Sequence, residues 1–183
     1  MFRDGPLRRR LPEEIRYGTG RCLLGRVLVA KSAQGIVSIM VRDSQARLVT
    51  DIRERFPKAT LVQDENGCAA TVAQVLAYIA APFRRFRLPL DIRGTELQTR
   101  VWNEVRKIPF GATSTYTAIA AAIGSPKAIR AVAGSCSRSW FAFAIPCHRV
   151  LHKAGAVAAT DPEGRRRLRW VAHEVELTAK KRR

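Results

Sequence analysis

Acidic residues are scarce in this chain: 15 Asp and Glu stand against 33 Lys and Arg in 183 residues, a formal net charge of +18. That imbalance points to a polyanionic partner, above all nucleic acid. Long apolar runs are missing too. None approaches the roughly 18 residues needed to span a bilayer, so no membrane segment is expected. Met1-Phe2-Arg3-Asp4 leads to Arg8-Arg9-Arg10 with no apolar stretch. No secretory signal is therefore expected, and the chain reads as cytoplasmic. The cysteines are Cys22, Cys68, Cys136 and Cys147, and no CxxC pair occurs among them. A zinc ribbon is thus unsupported. Cys147, His148 and His152 are too close in sequence to converge on one ion, and no metal is expected. Unspaced cysteines in an intracellular protein read as free thiols.

Apolar residues nonetheless make up 46% of the chain. They recur in short periodic segments, which argues against wholesale disorder. The positive charge is spread: residues 1–90 hold 16 basic and 8 acidic groups, and residues 91–183 hold 17 and 7. Arg outnumbers Lys 26 to 7, which suits bidentate phosphate contacts.

Residues 1–14 read as a loose basic arm. Val27–Val29 and Ile36–Val41 flank Ser32-Ala33-Gln34-Gly35, a hairpin pattern. Asp43 or Ser44 can cap a helix that carries Leu48, Ile52 and Phe56 inward and stops at Pro57. Thr60-Leu61-Val62 reads as a strand. Val72, Val75, Leu76 and Ile79 mark a second helix ending before Pro82, with Cys68 as a packing residue near its start. Residues 82–94, with Pro82, Pro89 and Gly94, read as a linker between an α/β half (15–90) and a helical half (91–177). A basic tail is expected at 178–183.

The helical half opens with Thr95-x-x-Gln98, a capping box. Leu97, Val101, Trp102, Val105 and Ile108 follow at helical spacing, and Trp102 reads as core. Ser114 or Thr115 caps a short helix ended by Gly124. Ser125 then caps a second, with Pro126 in its first position. Helix, glycine turn, helix is a helix-turn-helix pattern. Ala131, Ala133 and Gly134 leave one face of the second helix nearly bare, which would permit close approach to DNA.

Trp140–Ile145 is an apolar run leading to Pro146-Cys147-His148-Arg149-Val150. Pro146 ends any strand pairing there. A thiol is only a few per cent ionised at neutral pH, so a nucleophilic Cys147 needs a base, and His148 adjoins it. Arg149 and the basic surroundings would favour the anion. A carboxylate must orient the imidazole, and Asp161, Glu163, Glu174 and Glu176 are the candidates.

Ile145-Pro146-Cys147-His148-Arg149-Val150 behind this helix-turn-helix resembles the O6-alkylguanine-DNA alkyltransferases. The type is the one found as the C-terminal module of bacterial adaptive-response proteins. Supporting blocks are Leu88–Thr95, Val101-Trp102, Ile108-Pro109, Gly111, Ser114-Thr115-Tyr116 and Pro126–Val132, and the likeness runs from about Ile15 to Glu176.

The resemblance implies an α+β protein: an N-terminal ribonuclease-H-like α/β domain, then a helical winged-helix or helix-turn-helix DNA-binding domain. It implies double-stranded DNA containing O6-alkylguanine as partner, a monomer, no cofactor, and flipping of the damaged base through the minor groove. Cys147 would take the alkyl group irreversibly in one turnover, His148 would deprotonate it through a water, and Glu174 would hold the imidazole. Tyr116 would rotate the phosphate and touch the flipped base. Arg130 would fill the gap in the stack, with Ala131 and Gly134 packed in the groove. Tyr116, Ser139, Pro146, Val150, Thr160 and Asp161 would line the substrate pocket.

Three departures stand out. Ser139 occupies the position eight residues before the cysteine where the family has asparagine, and its shorter side chain has less reach. Ala158–Gly164 replaces a glycine-rich pocket loop, and Asp161-Pro162 reads there as a capped helix start. A slower transfer or a different adduct range is the expectation. Finally, no counterpart of the adaptive-response zinc domain precedes residue 15, so phosphotriester repair is not expected. Cys136 reads as a packing thiol. Two rival readings are a non-catalytic alkylated-base sensor of the same fold, which recruits repair factors, and a general basic DNA-binding protein.

Overall fold

The structure is a computed structural model that describes residues 13–83, 85–152 and 162–181. Three antiparallel strands come first: β1 (Glu14–Cys22), β2 (Gly25–Lys31) and β3 (Ile36–Arg42). The hairpin expected between β2 and β3 is present, closed by Ser32 N–H to the Gly35 carbonyl at 2.9 Å. Helix α1 (Gln45–Arg55) is capped by Ser44, whose side chain accepts from Arg47 N–H. The chain then adds β4 (Thr60–Gln63) parallel to β1, giving the sheet order β3-β2-β1-β4. Helix α2 (Glu65–Ala80), capped by Asp64, buries Cys68, Val72, Val75 and Ile79.

Strand alternation divides the sheet into two apolar faces. Ile15, Tyr17, Leu28, Ala30, Val37 and Met40 meet Leu48 and Ile52 of α1. Val27, Val29, Ile36, Ile39 and Val41 face the other way. They share one core with α2, Val101 and Trp102, and the segment before Cys147. The fold is therefore mixed α+β, with the helical half packed on one face of the sheet.

Two expectations at the joins need correction. Glu13 and Glu14 are not part of a loose arm: Glu14 begins β1, and the Glu13 carbonyl accepts from Thr60 N–H at 2.8 Å. Arg93 also grips Glu13 through both carboxylate oxygens, at 2.5 and 2.6 Å. Residues 1–12 lie outside the described residues. The 82–94 segment connects the halves but is docked rather than loose. Ile36 N–H donates to the Pro89 carbonyl, and Asp91 N–H donates to the Ile36 carbonyl. The cause is β3, an edge strand whose outer backbone groups need partners.

In the helical half, α3 (Glu96–Val105) carries the complete capping box of Thr95 and Gln98. It stops three residues short of Ile108. Trp102 is core, with its indole N–H on the Ser135 carbonyl at 3.0 Å. A two-stranded parallel pair, β5 (Ser114–Thr115) with β6 (Val150–Leu151), flanks α4 (Tyr116–Ala122), which Thr115 caps. Gly124 ends α4 at φ +68°, the conformation a C′ glycine supplies.

Helix α5 (Ile129–Ser137) begins four residues after Ser125, and no side chain caps it. Ala128 N–H closes a tight turn onto the Ser125 carbonyl at 2.9 Å, which takes Ser125 and Pro126 out of the helix. The last element, α6 (Pro162–Lys181), continues through residues expected to start a basic tail. Among the described residues no helix is long and apolar enough to cross a membrane.

Candidate active site

Cys147 is set by the sheet. The apolar run leading to it crosses the outer edge of β3: Ile39 N–H donates to the Trp140 carbonyl at 2.6 Å, and Ala142 N–H to the Ile39 carbonyl at 2.9 Å. A single parallel bridge therefore joins Ile39 to Phe141, well before Pro146. The chain then turns sharply through Phe143, a buried non-glycine residue at φ +66°. Such a conformation costs on the order of 1–3 kcal/mol and persists where packing imposes it. Here the Phe143 ring lies 4.1 Å, centroid to centroid, from that of Trp170 on α6. Cys147–Arg149 form one turn of 3-10 helix, closed by Arg149 N–H to the Pro146 carbonyl at 2.9 Å.

All three side chains of that turn are buried. His148 Nε2 is 2.8 Å from Glu174 Oε1 on α6. Arg149 forks onto the same carboxylate, Nε to Oε2 and Nη2 to Oε1, both at 2.9 Å, and Nη1 donates to the Ile108 carbonyl at 2.8 Å. Burial alone would raise the Glu174 pKa. The His148 and Arg149 hydrogen bonds and charges overcome that and hold it at about 2. Glu174 is therefore a carboxylate at neutral pH and can only accept hydrogen bonds. A neutral His148 must then carry its proton on Nε2, which leaves Nδ1 as its basic nitrogen.

Gly111 lets α6 come close enough for this. It sits at φ +75°, and a Cβ there would lie 2.6 Å from Thr178 Oγ1, one helical turn beyond Glu174. His148 is flanked edge-on by Trp170, with centroids 5.3 Å apart, and by Phe143 at 5.9 Å.

A cavity of about 610 Å³ adjoins the turn, and its wall includes Cys147, His148, Ser139, Phe143 and Trp170. Tyr116 and Val150 are brought together elsewhere. The β5–β6 register sets Ser114 opposite Val150, and the Tyr116 ring meets the His152 ring edge-on at 5.0 Å. Pro146 is buried directly before the thiol. Arg130 is exposed near the start of α5, and Ala131 and Gly134 are half-buried on it. The face expected to be bare is partly covered, because Arg138, one turn on, donates to the Gly134 carbonyl at 3.1 Å. Thr160 and Asp161 lie outside the described residues.

Sequence reasoning missed two residues. Arg149 was expected to favour the thiolate, but its guanidinium is turned onto Glu174 and Ile108. Trp170 carried no chemical signal, since an indole on a helical stripe reads as core. Cys136 is buried, as a packing thiol would be. Among the described residues no group of three or more His, Cys, Asp or Glu could hold a metal ion.

Residues 96–175 match the family model described as 6-O-methylguanine DNA methyltransferase, DNA binding domain. The chain is 41% identical over 144 residues to the bifunctional transcriptional activator/DNA repair enzyme Ada of Escherichia coli, covering 79% of this chain and 41% of Ada. It thus spans less than half the length of that relative. It is 35% identical to the constitutive methylated-DNA–protein-cysteine methyltransferase of Bacillus subtilis, over 77% of this chain and 83% of that protein. The Mycobacterium tuberculosis OGT solved in complex with DNA superposes with a TM-score of 0.71 at 28% identity, over 89% of this chain and 93% of that one. With most of a 35%-identical relative covered end to end, this chain belongs to the methylated-DNA–protein-cysteine methyltransferases, the O6-alkylguanine-DNA alkyltransferase family.

Proposed function

We propose that this protein repairs double-stranded DNA in the cytoplasm by moving the alkyl group of O6-alkylguanine irreversibly onto its own Cys147, once per molecule. The observation that carries this is the buried Cys147-His148-Arg149 turn with Glu174 locked behind it. Nδ1 of His148 takes the thiol proton, through a water. The Glu174 carboxylate stabilises the imidazolium that results. The thiolate attacks the alkyl carbon, the C–O6 bond breaks, and its electron pair stays on the guanine oxygen. No cofactor is required, because the protein is the acceptor.

Base access requires extrusion from the stack. Arg130 fills the vacancy from the exposed start of α5, while Ala131 and Gly134 pack against the minor groove. Tyr116 rotates the phosphate and, with Pro146, Val150, Ser139, Thr160 and Asp161, bounds the flipped base. The sheet order β3-β2-β1-β4, with β4 parallel to β1, supports a ribonuclease-H-like N-terminal domain. The α4–Gly124–α5 unit beside the β5–β6 pair supports a winged helix-turn-helix. The protein acts as a monomer. A non-catalytic sensor would have no use for a buried His148–Glu174 pair behind a cysteine.

Intact-mass spectrometry after incubation with a duplex carrying one O6-methylguanine tests this. One added methyl group, mapped to Cys147 and absent in Cys147→Ala while that variant still binds the duplex, is the expected result. A folded protein that binds the lesion and gains no mass would mean a sensor.

A further inference from the structure

Cys147, His148 and Glu174 account for the chemistry, but not for the size or polarity of the space beside them. The cavity of about 610 Å³ extends from Cys147 to Arg42, Asp43 and Arg47 at the start of α1. That is the scale of a small-molecule site, and far more than a methyl group occupies. Much of its wall is apolar, including Ile39, Val41, Phe143 and Ile145. Two wall residues, however, hold buried polar atoms with no hydrogen-bond partner among the described residues: Trp170 Nε1 and Ser139 Oγ. Trp170 is only 6% exposed, so its N–H has no recourse to bulk water. A buried donor in that state marks a place where an acceptor belongs.

Charge selects the kind of acceptor. Arg42 and Arg47 are each paired to Asp51, at 2.7 and 3.0 Å, and Asp43 adds a carboxylate to the same wall. Cation and anion are thus balanced at that end, and a neutral oxygen fits better than an anionic one.

We propose that this cavity takes the outer part of O6 substituents bearing a neutral hydroxyl, with Trp170 Nε1–H donating to the substituent oxygen and Ser139 Oγ as its second partner. Hydroxyalkyl adducts are then preferred over purely aliphatic adducts of the same length. The inference rests on the alkyl-transfer reading. The bonds are those of that reaction: Sγ–C forms, C–O6 breaks with its electron pair going to the guanine oxygen, and the hydroxyl leaves with the alkyl chain on sulfur.

The test compares single-turnover transfer from duplexes carrying O6-(2-hydroxyethyl)guanine and O6-n-propylguanine, which differ by a hydroxyl in place of a methyl. Wild type should favour hydroxyethyl. Trp170→Phe keeps an aromatic ring and removes the N–H. It should lower the hydroxyethyl-to-propyl ratio about three- to tenfold, the net worth of one hydrogen bond. Ser139→Ala should lower it less, and it carries the test if the Trp170 variant does not fold. The ratio cancels any effect of Trp170 on His148. A wild-type ratio of one, a ratio both variants leave unchanged, or a stronger preference for O6-carboxymethylguanine would overturn the proposal. Failure to transfer even methyl would overturn the alkyl-transfer reading instead.

Discussion

Each half of the molecule buries a carboxylate held by two nitrogen-bearing side chains, and the two arrangements differ in one respect that matters. In the sheet half, Asp51 sits between Arg42 and Arg47 with its side chain 4% exposed, while Arg47 remains 63% exposed. In the helical half, Glu174 sits between His148 and Arg149, and all three side chains are at most 6% exposed. Asp51 ties α1 to β3 with two permanent cations. Glu174 has one permanent cation and one partner whose proton can come and go, next in sequence to a thiol. Burial of a carboxylate is therefore not itself a catalytic signal. A titratable partner placed beside a nucleophile is.

Removing each charge at constant shape would break or sharpen that contrast most strongly. Glu174→Gln leaves Arg149 buried without its counter-ion, which should cost about 3–5 kcal/mol in denaturant melts. It also deprives His148 of its orienting acceptor. Transfer from O6-methylguanine should slow by about a hundredfold, the lower end of what an impaired general base costs. Asp51→Asn leaves Arg47 in solvent, so about 1–3 kcal/mol should be lost and the transfer rate should stay within about twofold. Equal kinetic effects in the two variants would remove the distinction.

Most of the scaffold was legible because its signals are local. Ser44, Thr95 with Gln98, Thr115 and Gly124 are caps that act within four residues, and each does what its type dictates. The Pro-Cys-His-Arg run marked the thiol turn for the same reason. What escaped depends on distant contacts. β1 contains Gly18, Gly20 and Arg21, poor strand formers, and pairs with β4 some 46 residues on in the parallel register Tyr17–Gln63. The docking of Leu90 and Phe141 on β3 follows from a vacant sheet edge, which exists only after the sheet forms. The role of Arg149 needed both α6 and the Ile108 carbonyl, 41 residues back, to be in place. The α5 start was misread because Ser-Pro satisfies the capping rule and a tight turn equally well.

Acid titration sharpens the contrast at a somewhat smaller scale. The Glu174 pKa is depressed from 4.5 to about 2. The unfolded state therefore binds the proton first, and the stabilisation is complete above about pH 5 and fades as pH falls toward 2. Linkage puts it at about 3 kcal/mol. Wild type should lose that increment on acidification from pH 5 to 2 in urea melts. Glu174→Gln should lack this part of the acid dependence, whereas Asp51→Asn should keep it. An acid limb unaltered in the Glu174 variant would mean that other carboxylates govern acid unfolding.

The smallest effect is the most discriminating about what the Asp51 cluster is for. Arg47 and Asp51 form an exposed-side i,i+4 pair on α1. Pairs of this kind contribute about 0.3–0.5 kcal/mol and are screened by salt. Arg47→Ala should therefore shift stability by no more than about 0.5 kcal/mol, and raising the salt concentration should shrink the difference. Arg42, whose side chain is only 25% exposed, remains to neutralise Asp51. Arg47 also stands on the far wall of the cavity that reaches Cys147. If Arg47→Ala left stability nearly untouched yet raised the relative rate for an anionic over a neutral O6 adduct, or lowered it, the charge at that wall would be read by the substrate. The balance of Arg42 and Arg47 against Asp51 and Asp43 predicts a lower rate for the anionic adduct in the variant, since a cation has been removed and both carboxylates remain.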